Sequence, residues 1–427
     1  MVAAALMGCA PSSGSKTDST SEAPSSVSTE VATQAKIRVA GWDDSAVSAG
    51  IIEEFEKKYP NIDVEYEFTS AADYQKTISL NMQSDNPPDV AQYNTPMRDL
   101  NAAGLILDLE PYASEYGWND LIASSLLDQT RFSDDGKRMG EGRLIAAPYL
   151  VPVLGVFVNK TLEAQAGLDA APSDLDAFEA NLKKAKDGGL LPLMIGALDY
   201  GGIHNWAGVL NSYCEPAVQK DWLFGKAGAS LDIDCAKQAT SRFQEWFANG
   251  YYPADANGTA DTDAAARFAA GEAVYIIDGS WQGGMFEKEL GAGNVGFYLL
   301  PHVTADGPSV TNASVAAYSV SAKTQHPDAA AAFLNFMFSP EAGKVITDSG
   351  QLSCNPAANE GLTGVNGEIA AGFAKVVEDD AALVWPDQAA PTLLDLITAD
   401  IQLLFGEKKT AQEMVVEVQA DWAEYHQ

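Results

Sequence analysis

The sequence lacks long hydrophobic runs and is poor in positive charge. No stretch of about 18 or more consecutive apolar residues occurs, so no membrane-spanning helix is predicted. Only 26 lysines and arginines stand against 59 acidic residues, which gives a net charge of −33 over 427 residues. A surface this acidic repels phosphate backbones and anionic lipid, so nucleic acid and a basic membrane-docking patch are disfavoured as partners.

Motifs that carry common catalytic chemistry are also missing. The sequence has no Gly-x-Ser-x-Gly elbow, no His-Glu-x-x-His pair and no phosphate-binding P-loop. Its four histidines are scattered, at His204, His302, His326 and His426. We therefore predict neither a cofactor nor a metal site, and the sequence favours a binding protein over an enzyme.

The four cysteines fall into two groups. Cys214 and Cys235 could close a loop of about 20 residues as a disulfide, which leaves Cys354 free. No Cys-x-x-Cys occurs, so neither a zinc ribbon nor a redox motif is supported. Cys9 stands apart, near the N-terminus.

The segment around Cys9 resembles the lipobox of bacterial lipoproteins. Cys9 directly follows Leu-Met-Gly at the end of a short apolar stretch, and a Ser-, Thr- and Pro-rich stretch follows it. The resemblance implies a signal peptide ending within residues 1–9, a diacylglycerol on Cys9 and an anchor on the extracellular face of the cell membrane. Residues 10–35 then read as a disordered tether. The alternative is a disordered start that contains a chance cysteine.

Strand and helix patterns alternate from residue 36 onward. An apolar strand at residues 37–40 is followed by a helical pattern that Pro60 ends, and by alternating apolar residues over 62–68. The same alternation resumes after Tyr149. This order predicts an α/β fold with two lobes, each a mostly parallel sheet flanked by helices. In such folds ligands bind beyond the carboxyl ends of strands and between domains.

Several segments, taken in order, resemble the family 1 extracellular solute-binding proteins. These are the sugar-binding components of ABC importers related to maltose-binding protein. The segments are IIEEFEKKYP before NIDV, PDV before AGLILDL, LIAAPY before GVFVNK, AGEA through DGSW, and the helix from Pro327 that leads into SPEAG. Together they span most of the chain. The resemblance implies a periplasmic-binding-protein-like fold with a hinge between its lobes and three crossings of the chain. It places residues 36–142 and 312–356 in the first lobe, and residues 143–311 and 357–427 in the second.

The same resemblance implies that the protein captures a carbohydrate, specifically an oligosaccharide. It also implies that the protein acts as a monomer and delivers the sugar to the transmembrane permease. A pyranose offers apolar C–H faces and a rim of hydroxyls, so it suits flat aromatic rings beside carboxylates and amides. Residues of these types follow the predicted strands, and we expect them to bind the ligand: Trp42, Asp43, Tyr93, Asn94, Tyr149, His204, Asn205, Trp206, Asp278, Trp281, Trp385 and Asp387. Asp278 could instead cap the turn at Gly279.

Two other interpretations stay open. A secreted glycoside hydrolase would also show aromatics and paired carboxylates, and 59 acidic residues leave room for such a pair. Within the same fold, the ligand could be iron, a polyamine or a phosphorylated glycerol. A polyamine site would combine acids with aromatics, and this chain has both.

Overall fold

The computed structural model describes residues 27–31, 33–42, 46–93 and 97–426. Cys9 and most of the predicted tether therefore lie outside the described residues. The end of that tether differs from the prediction. Val27 and Val31 pack against the hydrophobic core, and the Asn61 side-chain amide donates to the Val31 carbonyl at 2.6 Å.

The described chain forms fourteen strands and eighteen α-helices. The strands are β1 (Ala35–Gly41), β2 (Ile62–Phe68), β3 (Val90–Gln92), β4 (Arg131–Phe132), β5 (Arg143–Leu144), β6 (Ala147–Val151), β7 (Leu154–Asn159), β8 (Leu191–Met194), β9 (Ala273–Gly279), β10 (Val295–Tyr298), β11 (Thr311–Asn312), β12 (Ala316–Val320), β13 (Leu352–Ser353) and β14 (Ala382–Leu383). The helices are α1 (Ala46–Lys58), α2 (Ala71–Gln83), α3 (Met97–Ala102), α4 (Glu110–Tyr116), α5 (Trp118–Leu121), α6 (Ser124–Leu127), α7 (Lys160–Ala166), α8 (Leu175–Asp187), α9 (Tyr200–Tyr213), α10 (Pro216–Leu223), α11 (Asp234–Ala248), α12 (Asp261–Ala269), α13 (Gly283–Leu290), α14 (Pro327–Phe336), α15 (Pro340–Asp348), α16 (Gly364–Glu378), α17 (Leu393–Phe405) and α18 (Ala411–His426).

Two sheets define two lobes, as the α/β prediction requires. The first lobe contains a six-stranded sheet in the order β13-β6-β12-β3-β1-β2, and the second contains a four-stranded sheet in the order β10-β7-β9-β8. Helices flank both sheets. No helix within the described ranges is long and apolar enough to cross a membrane.

Most strands of each sheet run in one direction, as predicted, with antiparallel strands among them. In the first lobe β1, β2, β3 and β6 share a direction, and β12 and β13 run against them. In the second lobe β8, β9 and β10 share a direction, and β7 runs against them. A strand that returns from the other lobe enters its sheet from the opposite end, so it runs against the strands already there. Local hydrophobic patterns carry no information on this direction.

The first crossing also lies later than the predicted boundary at residue 142. Strand β6 pairs with β12 and β13, so the sheet of the first lobe continues to Val151. Pro152 then separates β6 from β7 of the second lobe. The apolar run from 147 to 159 reads as one unit in the sequence, which hides this change of sheet.

The chain crosses between the lobes at two further places. Strands β11 and β14 form a short parallel ladder between the lobes, and the Asn312 side chain donates to the Val384 carbonyl at 2.7 Å. The chain then enters the first sheet at β12. It leaves after β13, and α16 packs on β10 of the second lobe, where Glu368 accepts from the Phe297 amide at 2.7 Å.

Other local patterns of the sequence have clear counterparts in the structure. Trp118, Trp222, Trp246 and Trp422, which lie in helical patterns, are all buried in the core. The Thr410–Glu413 capping box opens α18: the Thr410 amide donates to Glu413 at 2.8 Å, and the Glu413 amide donates to the Thr410 hydroxyl at 3.2 Å. Cys214 and Cys235 are joined in a disulfide that links the end of α9 to the start of α11, and Cys354 is free and buried.

Candidate functional site

A cleft of about 510 Å³ lies between the two lobes. Both lobes and the crossing segments contribute to it, as expected for a ligand site at a domain interface. Its lining is aromatic and polar: Trp42, Tyr93, Arg98, Asp99, Gln129, Pro152, Tyr200, Ile203, His204, Ser314, Val315, Ala316, Val384, Trp385, Asp387, Gln388, Pro391, Leu394 and Tyr425.

The wall of the first lobe carries Trp42 and Arg98. Trp42 directly follows β1, where its backbone amide donates to the Gln92 side chain at 3.0 Å and its indole meets Tyr74 edge-on at 5.0 Å between ring centroids. Arg98 is 4% exposed, and its guanidinium lies 4.8 Å from the centre of the Phe132 ring. These contacts present one aromatic ring and one cation to the cleft.

Arg98 also bridges the lobes. Its Nη1 donates to the backbone carbonyl of Gln388 at 2.7 Å. Hydrogen bonds from a charged group in a low-dielectric setting are among the stronger ones in proteins. The arginine therefore ties α3 of the first lobe to the segment after Trp385 in the second.

The wall of the second lobe carries a cluster of three rings. Between ring centroids, His204 lies 4.7 Å from Trp385 and 5.6 Å from Trp281, and the two indoles are 6.2 Å apart. The Trp385 amide donates to the Ser314 hydroxyl at 3.0 Å. Trp281 is 40% exposed, and a Cβ on Gly279 would fall 1.9 Å from the Trp281 ring, so only glycine permits this placement.

Carboxyl groups lie in and behind this second wall. Burial raises the pKa of Asp387 in the cleft to about 6. Behind His204, burial and the neighbouring Asp199 raise the pKa of Asp261 to about 7, and burial raises that of Asp278 well above its ordinary value. Burial lowers the pKa of His204 to about 4, so its imidazole is neutral at pH 7.

Six of the twelve predicted ligand-binding residues lie at or beside the cleft. Five line it, and Trp281 contacts two of them. The five are Trp42, Tyr93, His204, Trp385 and Asp387. Asp43 and Asn94 lie outside the described residues.

The other four predicted residues lie away from the cleft wall. Trp206 is fully buried and donates from Nε1 to Thr240 at 2.9 Å. The segment with His204 and Trp206 belongs to α9 rather than to a loop, and two residues along a helix turn the side chain by about 200°. His204 therefore faces the cleft and Trp206 faces the core.

Asn205, Tyr149 and Asp278 also have structural contacts. The Asn205 amide donates to the carbonyls of Gly201 and Ile277, at 2.9 and 3.3 Å. Tyr149 is 2% exposed and packs against Tyr318 in the first lobe. Asp278 is fully buried and accepts from the Gly279 amide at 2.6 Å, which is the turn-capping alternative.

Sequence reasoning missed Arg98, Gln129 and Tyr200. Gln129 accepts from the Val315 amide at 3.0 Å and donates to the Ala313 carbonyl at 3.2 Å, which fixes the crossing segment. Tyr200 begins α9, one turn before His204. Their position follows from how the lobes pack. For Arg98 alone a local signal existed, since it closely follows the third strand in a chain with few cations.

Residues 42–344 match the family described as bacterial extracellular solute-binding protein. This match covers well over half of the chain. The chain belongs to this family.

Curated relatives and solved structures agree with the assignment. The chain is 24% identical over 58% of its length to the xylose/arabinose-binding protein XacG of Haloferax volcanii, and spans only 53% of that protein. It is 24% identical to the diacetylchitobiose binding protein DasA of Streptomyces coelicolor, over 80% of this chain and 77% of that one. The structure of a chitin oligosaccharide binding protein superposes with a TM-score of 0.74 at 18% identity, over 92% of this chain and 98% of that chain. The structural match establishes the two-lobed solute-binding fold.

Proposed function

We propose that this family member is the extracellular substrate-binding component of an ABC transporter and that its ligand is a carbohydrate, specifically an oligosaccharide. The observation that carries the proposal is the cleft between the lobes, where Trp42 of one lobe and Trp385 of the other line the same space beside polar side chains. Relatives that are named for sugars and chitin oligosaccharides support the same ligand class.

The chemistry of the lining suits a sugar. Indole rings pack against the apolar C–H faces of a pyranose. The guanidinium of Arg98 donates, the Asp387 carboxylate accepts, and Gln388 can do both, so each can bind ring hydroxyls. The cleft volume of about 510 Å³ falls within the range of about 300–1,000 Å³ that is typical of small-molecule sites.

Capture would proceed by hinge closure. The β11–β14 ladder and the crossing segments link the lobes, and a ligand that contacts both walls favours the closed form. An affinity near micromolar corresponds to roughly −8 kcal/mol, which two or three stacked rings and several hydroxyl contacts can supply after ordering costs. The closed protein would then deliver the sugar to the permease subunits as a monomer.

We further propose that the protein is anchored to the outer face of the membrane through a lipid on Cys9. The support is the Leu-Met-Gly-Cys sequence and the Ser/Thr/Pro-rich stretch that follows it. In cells fed a labelled fatty acid, the parent should become labelled and stay with the membrane fraction. Cys9→Ala should do neither, and a labelled Cys9→Ala variant would refute the anchor.

A polyamine is the second candidate ligand, and one observation favours it. The second wall is acidic as well as aromatic, since Asp387 lies in the cleft and Asp261 and Asp278 lie behind His204. A polycation could pair with Asp387 and stack on the indoles, with the buried acids adding negative potential from behind the wall.

We test the ligand by titration calorimetry. An oligosaccharide panel that includes chitin oligosaccharides, with spermidine as a separate arm, should give heat at one site for at least one sugar and none for spermidine. Heat with spermidine alone would overturn the sugar proposal. The same sugars are then incubated with the protein and analysed for products. Catalytic turnover would overturn the proposal that the chain binds without catalysis.

A further inference from the structure

Three potential metal-ligating side chains meet directly behind the second wall of the cleft. His204 Nδ1 lies 3.9 Å from Asp261 Oδ1 and 3.9 Å from Asp278 Oδ1. One ligand atom from each of the three residues falls within 4.8 Å of the others. The residues come from three elements: α9, the first position of α12 and the end of β9.

Two of these groups are buried with atoms that have no partner. His204 is 6% exposed, and its Nδ1 has no hydrogen-bond partner although it points at both carboxyls. Asp278 is fully buried, and its Oδ2 is likewise unpartnered. Buried polar atoms in native proteins are normally satisfied, so an unpartnered His204 Nδ1 that lies 3.9 Å from two carboxyls indicates a missing partner.

The charge around this point is also unbalanced. Asp199 accepts from the Asp261 amide at 2.8 Å, which brings a third carboxyl to the cluster. Within the part of the chain that the structure describes, no lysine or arginine forms an ion pair with any of the three carboxyls. Buried carboxylates are costly unless a cation or a proton neutralises them.

We propose that His204, Asp261 and Asp278 form a binding site for a divalent transition-metal ion of the zinc class. The imidazole nitrogen argues against calcium and magnesium, which take oxygen ligands. Neutral imidazole with carboxylates is a ligand set that suits zinc. Two carboxylates also balance the charge of one divalent ion.

The spacing fits after a contraction of the three side chains. Zinc bonds to nitrogen and oxygen of about 2.0–2.1 Å place tetrahedral ligand atoms about 3.4 Å apart. The two imidazole-to-carboxylate distances of 3.9 Å need to shorten by about 0.5 Å, and the ligand atoms of the two carboxyls, which lie within 4.8 Å of each other, need to approach by up to about 1.4 Å. Asp261 is the least buried of the three and starts its helix, so it has the most freedom to move.

A bound ion would brace the cleft. It would link α9, α12 and the end of β9, the strand that leads into Trp281. His204 also lines the cleft and contacts Trp385, so the ion would fix the orientation of the ring on which the cluster of three aromatics is centred. The metal site shares His204 with the cleft, but the proposal does not depend on which ligand the cleft binds.

The test is zinc titration of the full chain after removal of metal with a chelator and dialysis. The parent should take up one zinc per chain, and Asp261→Asn should bind at least ten-fold more weakly, because the amide keeps the shape and loses the charge. Asp263→Asn is the matched control, since Asp263 lies in the same first turn of α12 but is exposed. It should bind zinc as the parent does.

Two further measurements keep the result decisive. Circular dichroism and thermal melting establish that Asp261→Asn is folded, and His204→Gln replaces it if it is not. Cobalt in place of zinc should give visible absorption bands of nitrogen and oxygen coordination in the parent that either variant loses. No zinc uptake by the parent, or uptake that Asp261→Asn and His204→Gln leave unchanged, would overturn the site. Sugar binding is measured separately, so its failure would not be confused with failure of the metal site.

Discussion

The two walls of the cleft differ in how their side chains are held. In the second lobe, His204, Trp281 and Trp385 contact one another, and Trp385 is also held by a backbone hydrogen bond to Ser314. In the first lobe, within the described ranges, the Trp42 ring packs on Tyr74 and the Tyr93 ring packs on Phe132, and neither Tyr74 nor Phe132 lines the cleft. The second wall is a preformed cluster of rings, whereas the first offers Trp42 and Tyr93 as separate rings.

The walls also differ in charge. Among the described lining residues, Arg98 of the first lobe is the only lysine or arginine, and Asp99 of the same helix lies beside it, while Asp387 and the acids behind His204 belong to the second lobe. We infer that the ligand docks first on the rigid second wall. Trp42 and Arg98 then complete the site as the lobes close. Four predictions test this difference between the walls, from the largest expected effect to the smallest.

Removing the indole of the second wall should weaken binding most. We expect Trp385→Ala to lower oligosaccharide affinity about a hundred-fold, or about 3 kcal/mol, because an aromatic anchor in a fitted site carries much of the binding energy. Trp42→Ala should cost about ten-fold. Calorimetry measures both. Trp385→Phe should recover part of the loss, and Leu80→Ala, which truncates an exposed side chain on α2, should change nothing. A larger loss for Trp42→Ala would reverse the comparison.

Opening the disulfide should destabilise the lobe that carries the rigid wall. Cys214 and Cys235 are 21 residues apart and tie α9 to α11. By loop entropy, the double change to serine should lower the free energy of unfolding by about 3 kcal/mol in urea titrations. The parent measured with a reducing agent is the control and should show the same loss. Equal unfolding midpoints for the oxidised parent and the double variant would contradict this role.

Breaking the bridge between the lobes should have an intermediate effect. Arg98→Met keeps the apolar stem but removes the donor to the Gln388 carbonyl. A hydrogen bond from a charged group contributes about 1.5–3 kcal/mol, so sugar affinity should fall roughly ten-fold, mainly through faster dissociation. Stopped-flow measurements give both rates. Arg138→Met, at an exposed arginine of the first lobe, is the control. A slower association with unchanged dissociation would argue against a bridge that holds the closed form.

The smallest effect concerns pH. Burial raises the pKa of Asp387 to about 6, from 3.8. Between pH about 4 and 6 the folded chain keeps a proton that the unfolded chain has lost, so this carboxyl lowers stability as the pH rises through that window. The free energy of unfolding of Asp387→Asn should therefore rise by about 1 kcal/mol relative to that of the parent as the pH increases from 4.5 to 7. This value is reduced for the partial exposure of the group.

Urea titrations at both pH values give this difference. Arg98 and Tyr200 also line this part of the cleft, and both are unchanged in the variant. Asp395→Asn, at an exposed carboxyl of α17, should run parallel to the parent. If the difference in free energy of unfolding between Asp387→Asn and the parent is the same at pH 4.5 and pH 7, the Asp387 proton plays no part in stability.

The sequence predicted what depends on local pattern. The family and the two-lobed α/β fold are confirmed, and the Thr410-x-x-Glu413 pattern forms a capping box in the structure. The direction of β12 and the crossing after Val151 were not predictable, because the chain path between lobes leaves no mark in hydrophobic periodicity.

The site was predicted in part for a similar reason. Trp385 and His204 stand out by residue type and lie at the cleft. Trp206 has the right type but faces the core, since its helical phase differs from that of His204. Gln129 and Tyr200 reach the cleft only through the packing of one lobe on the other, which a single sequence does not encode locally.

Closure of the two lobes around a sugar is tested most directly by small-angle X-ray scattering with and without a saturating oligosaccharide identified by calorimetry. The account predicts a smaller radius of gyration with the sugar in the parent. It also predicts no change for Trp385→Ala at a sugar concentration that saturates only the parent. Tight binding of the sugar to the parent with an unchanged radius of gyration would contradict capture by hinge closure.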